Sequence, residues 1–258
     1  YIEQLDLPGN ARRLAREVLA LEKAPPFPTG VGDVILQGSM LAAQIHYSLA
    51  HRALLGRRGS VPPQQAEDFR LGSSLLSIDA DASLLGGAGS YGYDWEGVPA
   101  QSIPLVKEGK FAGYFSGRMA AAIGRTSTGA MRSPSWQSPP RPFLTNIVVK
   151  PGAGSLQQLI SGVERGILID TVSTFAPGPN LQDFVARAEA GWLIELGQIR
   201  HLVKAPTYRG YPIAFWSGCD AVAGPQEQQY VGLQEGNIPV GYIVAPMRIR
   251  GVKVGASL

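Results

Sequence analysis

His46 and His51 are the residues whose type and spacing best suit metal chemistry in this chain, because a neutral imidazole is a good zinc ligand. On an ideal α-helix, residues five positions apart lie about 140° apart around the axis, which is a poor angle for binding one ion. A π-type wide turn would bring the two rings closer, and such turns often mark functional sites. The spacing by itself favours a simpler interpretation, with one buried histidine and one surface histidine. Both interpretations stay open at this level.

Other sequence motifs that carry catalysis lack their structural context. Residues 87–92 (GAGSYG) have the spacing of a dinucleotide-binding loop, but the turn-like residues 93–99 cannot begin the helix that such a loop requires. The sequence has neither a phosphate-binding P-loop nor a Gly-x-Ser-x-Gly elbow. Cys219 is the only cysteine, which excludes an intrachain disulfide and fits a reducing compartment. We expect it to be a half-buried bystander rather than a nucleophile.

Composition and charge narrow the class of protein. The 258 residues carry a net charge of +3 without a dense basic cluster, which argues against a nucleic-acid partner. No stretch approaches about 18 consecutive apolar residues, so no membrane span and no membrane partner are expected. We therefore predict a soluble, cytoplasmic protein.

Two helices are predicted in the first quarter of the chain. Residues 10–23 have an amphipathic pattern that Asn10 can cap. Residues 39–55 are rich in Ala and Leu and are expected to form the helix that carries both histidines. Ser39 is its predicted N-cap and Gly56 its predicted stop.

Strand patterns dominate the rest of the chain. A third helix is predicted over residues 155–165, where Ser155 and Gln158 can form a capping box and Gly166 ends the helix. Residues 102–106 and 111–115 flank a turn and predict a hairpin. Further strands are predicted over residues 33–37, 143–150, 167–173, 192–196, 198–203, 242–244 and 247–254. The sum is an α+β fold, mostly antiparallel sheet or an open barrel of hairpins with a few packed helices.

Several segments, taken in order along the chain, resemble the TldD/PmbA family. The apolar residues 34–38 before the histidine segment are similar to the family's strand before an HExxxH helix. Residues 93–101 are similar to its Asp-x-Glu-Gly-Val/Thr-Pro segment. Further similar segments are the hairpin 105–114, Thr145-Asn146, residues 150–152 with the helix after them, Gly166-Ile167, Leu193-Ile194-Glu195 with Gly197, and residues 238–241. The resemblance implies that residues 26–258 form the C-terminal domain of such a protein.

The resemblance also implies a domain that precedes this region. Family members carry an N-terminal domain before the similar segments. Only the helix predicted at residues 10–23 could belong to it, and the chain begins with Tyr1 rather than Met. We therefore expect residues 1–25 to be a remnant of that domain or the linker from it.

The resemblance further implies a zinc site, from which this sequence departs twice. TldD-like members bind one metal ion through both histidines of HExxxH and a cysteine near the C-terminus, and the Glu acts as general base. By position, His46 and His51 match the two histidine ligands, whereas Tyr47 stands at the Glu and Gly232 at the cysteine. A phenol with a pKa of about 10 accepts a proton poorly at neutral pH. Two imidazoles alone bind zinc weakly, because catalytic zinc sites use three protein ligands.

These departures lead to a first hypothesis, a non-catalytic subunit of a TldD/PmbA-type metallopeptidase assembly. Such a subunit would hold an unfolded peptide against a sheet edge, where main-chain hydrogen bonds give affinity without much sequence preference. Family members of the PmbA (TldE) type are non-catalytic and pair with an active TldD-type partner. The resemblance therefore implies a homo- or hetero-dimer with a TldD/PmbA-type subunit.

Two other hypotheses stay open. The chain would be an active zinc metallopeptidase if Cys219 or an acidic residue completed the site of His46 and His51, with Asp94, Glu96 or another carboxylate as the base. It would instead be a regulator that binds another protein, since the family includes proteins described as modulators of DNA gyrase. No residue pattern in this chain favours contact with gyrase or with DNA specifically.

Overall fold

The structure is a computed structural model that describes residues 6–55, 69–123 and 125–256. Gly56, the predicted stop of the second helix, lies outside these described residues. Within the described ranges, no helix combines the length and the apolar character needed to cross a membrane.

Strands outnumber helices in the described part of the chain. The helices are α1 (Leu7–Lys23), α2 (Gly38–Ile45), a π-helix (His46–Ala50), α3 (Arg52–Leu55), α4 (Leu156–Ser161) and α5 (Pro212–Ser217), with 3-10 helices at Arg118–Ile123, Pro179–Leu181 and Pro225–Glu227. The strands are β1 (Gly30–Leu36), β2 (Ile78–Asp81), β3 (Ser102–Lys107), β4 (Lys110–Phe111), β5 (Met131–Arg132), β6 (Arg141–Pro142), β7 (Asn146–Val149), β8 (Arg165–Ile169), β9 (Thr174–Pro177), β10 (Phe184–Arg187), β11 (Ala190–Glu195), β12 (Gln198–Lys204), β13 (Thr207–Gly210), β14 (Cys219–Val222), β15 (Gln229–Glu235), β16 (Ile238–Val244) and β17 (Met247–Gly255).

The strands of the described ranges form two large sheets and one small one. Nine strands make the first sheet, in the order β12-β11-β8-β1-β17-β13-β10-β9 with β14 paired to β17. Six strands make the second sheet, in the order β15-β16-β7-β2-β3-β4, and β5 pairs with β6. The pairs β1–β8 and β7–β16 are parallel, and the other described pairs are antiparallel. The predicted α+β fold of mostly antiparallel sheet with a few helices is confirmed.

Strand β1 lies at the centre of the nine-stranded sheet and leads directly into the helix that carries the histidines. It pairs with β8 on one side and β17 on the other, and Val34, Ile35 and Leu36 are completely buried. A strand buried on both faces is a continuous apolar run, which is the pattern that predicted it. At Gly38 the chain enters α2 with a φ of 51°, and a Cβ there would collide with the carboxylate of Asp170. The glycine therefore sets the point at which α2 can begin.

Two predicted helix boundaries are wrong. Helix α1 begins at Leu7 rather than at residue 10, because Asp6 caps it by accepting a hydrogen bond from the N–H of Gly9 at 3.0 Å. Helix α4 ends at Ser161, four residues before the predicted end. It stops there because β8, which begins at Arg165, pairs with β1 and β11.

The predicted caps of the other helices have different outcomes. The capping box of α4 is confirmed, since Ser155 and Gln158 exchange hydrogen bonds between side chain and backbone. Ser39 lies inside α2 rather than at its N-cap. Its hydroxyl accepts a hydrogen bond from the N–H of Val172 at 3.1 Å, which ties α2 to the segment after β8.

The glycine-rich residues 87–92 pack against the six-stranded sheet, and no helix follows them. The N–H of Gly89 donates to Oδ1 of Asn146 at 2.8 Å. A Cβ at Gly87 would meet the same side chain, and one at Gly89 would meet the backbone of Thr145. The glycines are therefore needed for close packing on β7, and the prediction that residues 93–99 do not begin a helix is confirmed.

Candidate metal centre

The two histidines lie at the ends of a wide helical turn. The π-helix His46–Ala50 interrupts the helix between α2 and α3, and the N–H of His51 donates to the carbonyl of His46 at 3.0 Å. The extra residue in the turn brings the imidazoles together, with ring centroids 4.4 Å apart. His46 is buried and His51 is part-buried beside it. The two imidazoles therefore lie together, with His46 the more buried and His51 the more exposed.

Side chains also bond to carbonyl groups in the wide turn. The hydroxyl of Ser48 donates to the carbonyl of Gln44, and Nε of Arg52 donates to the carbonyl of Ser48 at 3.0 Å. In an α-helix both carbonyls would accept from backbone N–H groups four residues later. Arg52 also donates to the carbonyl of Leu181 at 2.7 Å, which anchors the end of the turn. These side-chain contacts therefore anchor the carbonyl groups on both sides of the π-turn.

A buried polar network holds the same turn from the side of the nine-stranded sheet. Ser48 accepts hydrogen bonds from Nε2 of Gln44 at 3.1 Å and from Nε1 of Trp216 at 2.8 Å. The hydroxyl of Tyr208 donates to Oε1 of Gln44 at 2.9 Å. Ser48, Gln44, Trp216 and Tyr208 are all buried, so each needs these partners. No local sequence signal pointed to this network, because its members come from four elements, two of which lie far from the other two in the sequence.

We predict that Ser48→Ala lowers the free energy of unfolding by roughly 2 kcal/mol, because Trp216 and Gln44 each lose a buried partner. Urea denaturation measures the change. Ser161→Ala is the matched control, since the Ser161 hydroxyl also bonds to a helix carbonyl but at an exposed site. Equal effects of the two substitutions would show that the buried network contributes little.

Glu235, at the end of β15, completes a group of three possible ligands with the two histidines. Its Oε2 lies 3.1 Å from Nε2 of His51 and 3.3 Å from Nε2 of His46. The possible ligand atoms of these three side chains all lie within 4.8 Å of one another. No other group of three His, Cys, Asp or Glu side chains in the described part of the chain meets this criterion. Tetrahedral zinc with bonds of about 2.0–2.1 Å places neighbouring ligand atoms roughly 3.3 Å apart. The two imidazoles and the carboxylate therefore fit a zinc ion.

Gly232 does not face the histidines. In β15, Val231, Leu233 and Glu235 alternate with residues that are more exposed, and Val231 pairs with Tyr242, which contacts His46. Side chains two apart share one face of a strand, so Gly232 lies on the opposite face from Glu235. A Cβ built on Gly232 meets only the ring of Tyr230 within 4 Å. The strand position beside the histidines is thus occupied by Glu235, and the position matched to the family's cysteine points away.

The charge states of these groups suit metal binding. Burial lowers the pKa of His46, and the neighbouring His51 adds to this effect, although the hydrogen bond to Glu235 opposes it. Burial raises the pKa of Glu235, but the hydrogen bonds to His46 and His51 outweigh it and hold that pKa far below the usual range. A neutral imidazole and an ionised carboxylate are the forms that coordinate a cation.

Tyr242 orients the ring of His46. Its hydroxyl is hydrogen-bonded to Nδ1 of His46, which leaves Nε2 directed at Glu235. Burial raises the pKa of Tyr242 well above 10, so the group remains a neutral phenol. A ligand histidine commonly bonds through its second nitrogen to such a partner, which sets the tautomer and the ring angle.

Tyr47 makes an aromatic contact with the edge of the nine-stranded sheet. Its ring stacks on Phe175 of β9 with centroids 5.0 Å apart, and Phe175 stacks in turn on Phe184 at 5.5 Å. The ring of His51 lies 5.6 Å from that of Tyr47. Tyr47 therefore packs the histidine-bearing helix against β9. As a phenol, it lacks the carboxylate that the general base of the family would have.

The two carboxylates considered as substitute bases are used elsewhere. Asp94 is buried and accepts hydrogen bonds from the N–H groups of Glu96, Val98 and Met131 at 2.8–3.0 Å. Glu96 accepts from the N–H of Arg118 at 2.6 Å. Neither carboxylate belongs to the group formed by the histidines. Both shape the loop between β2 and β3 and its contacts.

Cys219 also lies outside the histidine group. It begins β14, which pairs with β17, and its Sγ contacts the carbonyl of Ala221 at 3.9 Å. Burial raises the pKa of this thiol to about 12, so the free group is a protonated thiol at neutral pH. The structure thus places the carboxylate of Glu235, and not Cys219, beside the histidines. Cys219 is also more deeply buried than the half-buried bystander expected from sequence.

Comparison with known proteins gives a family match over most of the chain. The family model for the PmbA/TldA metallopeptidase C-terminal domain matches residues 29–256. A metalloprotease TldD homolog of Haemophilus influenzae is 27% identical over 258 residues, which cover 96% of this chain and 53% of the relative. A metalloprotease of Synechocystis is 31% identical over 193 residues, covering 73% of this chain and 41% of the relative. The chain thus spans about half the length of these relatives.

Solved structures show the same fold. TldE from Thermococcus kodakarensis superposes with a TM-score of 0.82 at 20% identity, covering 97% of this chain and 56% of the other. A Thermotoga maritima protein described as a modulator of a DNA gyrase superposes with a TM-score of 0.75 at 20% identity, covering 93% of this chain and 53% of the other.

Proposed function

The chain belongs to the PmbA/TldD metallopeptidase family, and from this premise we propose that it is a non-catalytic subunit of a PmbA/TldD-type assembly that binds a divalent cation and an extended peptide. One observation carries this proposal. The group around the histidines contains one carboxylate, Glu235, and a metallopeptidase needs both a third protein ligand and a general base. Glu235 cannot supply both.

The donor set favours Glu235 as a ligand. Two histidines and one glutamate are the protein ligands of several zinc hydrolases, and their nitrogen and oxygen donors suit zinc. A bound zinc ion would supply Lewis acidity and an activated water. His46, His51 and Glu235 would hold the ion, while Tyr242 would keep the ring of His46 in place. With Glu235 used in this way, the phenol of Tyr47 stands where a proton acceptor is required.

The same donor set supports a second candidate, an active zinc metallopeptidase. Three protein ligands around one ion are enough for metal binding, so catalysis would require only a proton acceptor, which the bound peptide would supply. An assay of the zinc-loaded chain alone on unstructured peptides separates the two candidates. Silence supports the non-catalytic subunit, whereas cleavage that a chelator abolishes would overturn it.

The peptide would bind along the edge strand β15. Among the described strands, β15 pairs only with β16, so its other edge is free. Glu235 and Ile238 flank the two-residue turn Gly236-Asn237, and the residues that flank such a turn exchange hydrogen bonds with each other. The backbone groups of Gly232 and Gln234 then point towards the free edge. Gly232 has no side chain to obstruct an approaching main chain.

This edge lies next to the candidate metal centre. Glu235 contacts both histidines from β15, and Tyr47 joins the same helical turn to β9, the edge strand of the other large sheet. The histidines are therefore flanked by two edge strands. A peptide that extended β15 would run past Glu235, and its affinity would come from main-chain hydrogen bonds with little sequence preference.

We predict that Gly232→Pro weakens peptide binding about 10- to 100-fold, because it removes a donor at the centre of the free edge. Fluorescence anisotropy of a labelled unstructured peptide measures the affinity. Gly232→Ala is the matched control, since it keeps the N–H and its Cβ meets nothing closer than the Tyr230 ring at 3.9 Å. Two peptides, N-methylated at the odd or at the even positions, test the pairing. The peptide whose methylated N–H groups would face β15 should lose affinity, and the other peptide should keep it. Equal binding by both registers would contradict strand addition.

The proposal includes a partner subunit. We propose that the chain forms a homo- or hetero-dimer with a PmbA/TldD-type subunit in the cytoplasm. A chain that binds substrate but lacks a general base needs a partner that supplies the base. Light scattering of the chain alone and with a TldD-type subunit measures the stoichiometry. A chain that stays monomeric in both cases would remove this part of the proposal.

A further inference from the structure

A cavity of about 480 Å³ opens on the nine-stranded sheet, where β10, β13 and β17 approach α5. Val185, which lies directly opposite Arg209 in the sheet, lines it together with Ala214 and the buried residues Phe184, Phe215 and Val252. The ring of Tyr211, which is 69% exposed, stands at its rim. No member of the histidine group lines this cavity. It is a separate concave site, with Val185 and Tyr211 as apolar groups on the face of the cations.

Two cations from neighbouring strands lie opposite each other at this cavity. Arg209 and Lys253 are directly opposite on β13 and β17, and both line the cavity and are exposed. Like charges directly opposite each other in a sheet are destabilising. Within the described residues, neither side chain makes a hydrogen bond or an ion pair. An anion placed between them would relieve their repulsion.

The other charged groups of the cavity limit the charge of that anion. Arg250 is already paired with Asp33 and Asp220. Asp183 also lines the cavity and forms no ion pair within the described ranges. Two unpaired positive charges and one unpaired negative charge leave a net charge of about +1, which matches a monoanion better than a dianionic phosphate.

We propose that this cavity binds a carboxylate that is attached to an apolar group. The guanidinium of Arg209 offers two parallel N–H donors to a carboxylate, and Lys253 adds a second positive charge from the opposite strand. The apolar group contacts Val185 and the ring of Tyr211, on the face that carries Arg209. The site goes beyond the proposed peptide edge and metal centre, and it needs neither of them.

The test compares two probes that differ by one charge, N-acetyl-phenylalanine and its neutral amide, by NMR titration of the isotopically labelled full chain. We expect the acid to bind at least about 10-fold more tightly than the amide and to shift the amide signals of Gly210 and Gly251, which line the cavity. Arg209→Ala and Lys253→Ala are each expected to weaken binding of the acid by at least about 5-fold. Arg187→Ala is the matched control and should leave it unchanged, because Arg187 is an exposed cation of β10 outside the cavity.

Three results would overturn the assignment. Equal affinities for acid and amide would show that the charge is not recognised. Undetectable binding of the acid to the unmodified chain would show that the cavity is not a site for it. Unchanged affinity in both the Arg209 and the Lys253 variants would place the binding elsewhere. The comparison of acid and amide uses the unmodified chain, so it decides the question even if a variant does not fold.

Discussion

Glu235→Gln is expected to lower the zinc affinity of the chain by at least about 100-fold, which is about 2.7 kcal/mol. Its carboxylate lies 3.1–3.3 Å from the ligand nitrogens of both histidines and is the third donor of the group. The amide keeps the size of the side chain but offers a neutral, weaker donor. Competition with a chromogenic chelator measures the affinity, and elemental analysis measures the stoichiometry.

Gln234→Ala is the matched control for this substitution. Gln234 is the preceding residue of the same strand, and its side chain lies on the opposite, exposed face. The control is expected to bind zinc as the unmodified chain does. His51→Ala should resemble Glu235→Gln, because it also leaves two ligands. If the unmodified chain binds no stoichiometric metal, the assignment of the centre is wrong.

Tyr47→Glu is expected to raise zinc-dependent peptide cleavage at least about 100-fold above the background of the unmodified chain. A general base contributes roughly 10²- to 10⁴-fold to such reactions, and Tyr47 occupies the position that the family resemblance assigns to it. The substitution removes the stack on Phe175, which we expect to cost about 0.5–1.5 kcal/mol of stability. Cleavage of a quenched fluorescent peptide with and without chelator measures the gain.

Tyr47→Gln separates the carboxylate from the loss of the ring. It has the same length as the glutamate variant and removes the same stack, but it cannot accept a proton. Activity is expected in the glutamate variant alone, and it should disappear when Glu235→Gln is added. Equal activity of Tyr47→Glu and Tyr47→Gln would show that the missing base does not limit cleavage.

Together the two experiments distinguish loss of metal from loss of the base. A chain that binds zinc and gains activity with Tyr47→Glu is a metal-binding subunit that lacks one proton acceptor. A chain that binds no zinc has lost the centre altogether, and its peptide-binding edge on β15 would then act alone. The edge-strand experiment with Gly232→Pro is independent of both results.

Elements with a strong local signal were the predictable part of the fold. Strand β1 follows from the continuous apolar run Val34–Leu36, and the capping box of α4 follows from Ser155 and Gln158, because these signals depend on neighbours in sequence. Strand β15 was missed. Its residues alternate between exposed and part-buried, and Gly232 lies at its centre, so its apolar signal is weak. Its alternation could have indicated Glu235, since the acidic residue continues the inward-facing positions of Val231 and Leu233.

The sequence by itself determined the fold class, the family resemblance and the two histidines with the tyrosine between them. Only the tertiary structure decided that the histidines converge, that Glu235 joins them and that Gly232 and Cys219 do not. The physical reason is the range of the contacts involved. Helix caps and hairpin turns depend on residues a few positions apart, whereas Glu235 is 184 positions from His51 along the chain. The pairing of β15 with β16 and the packing of Tyr242 on His46 bring Glu235 close to the histidines. A pattern of neighbouring residues cannot predict contacts over this distance along the chain.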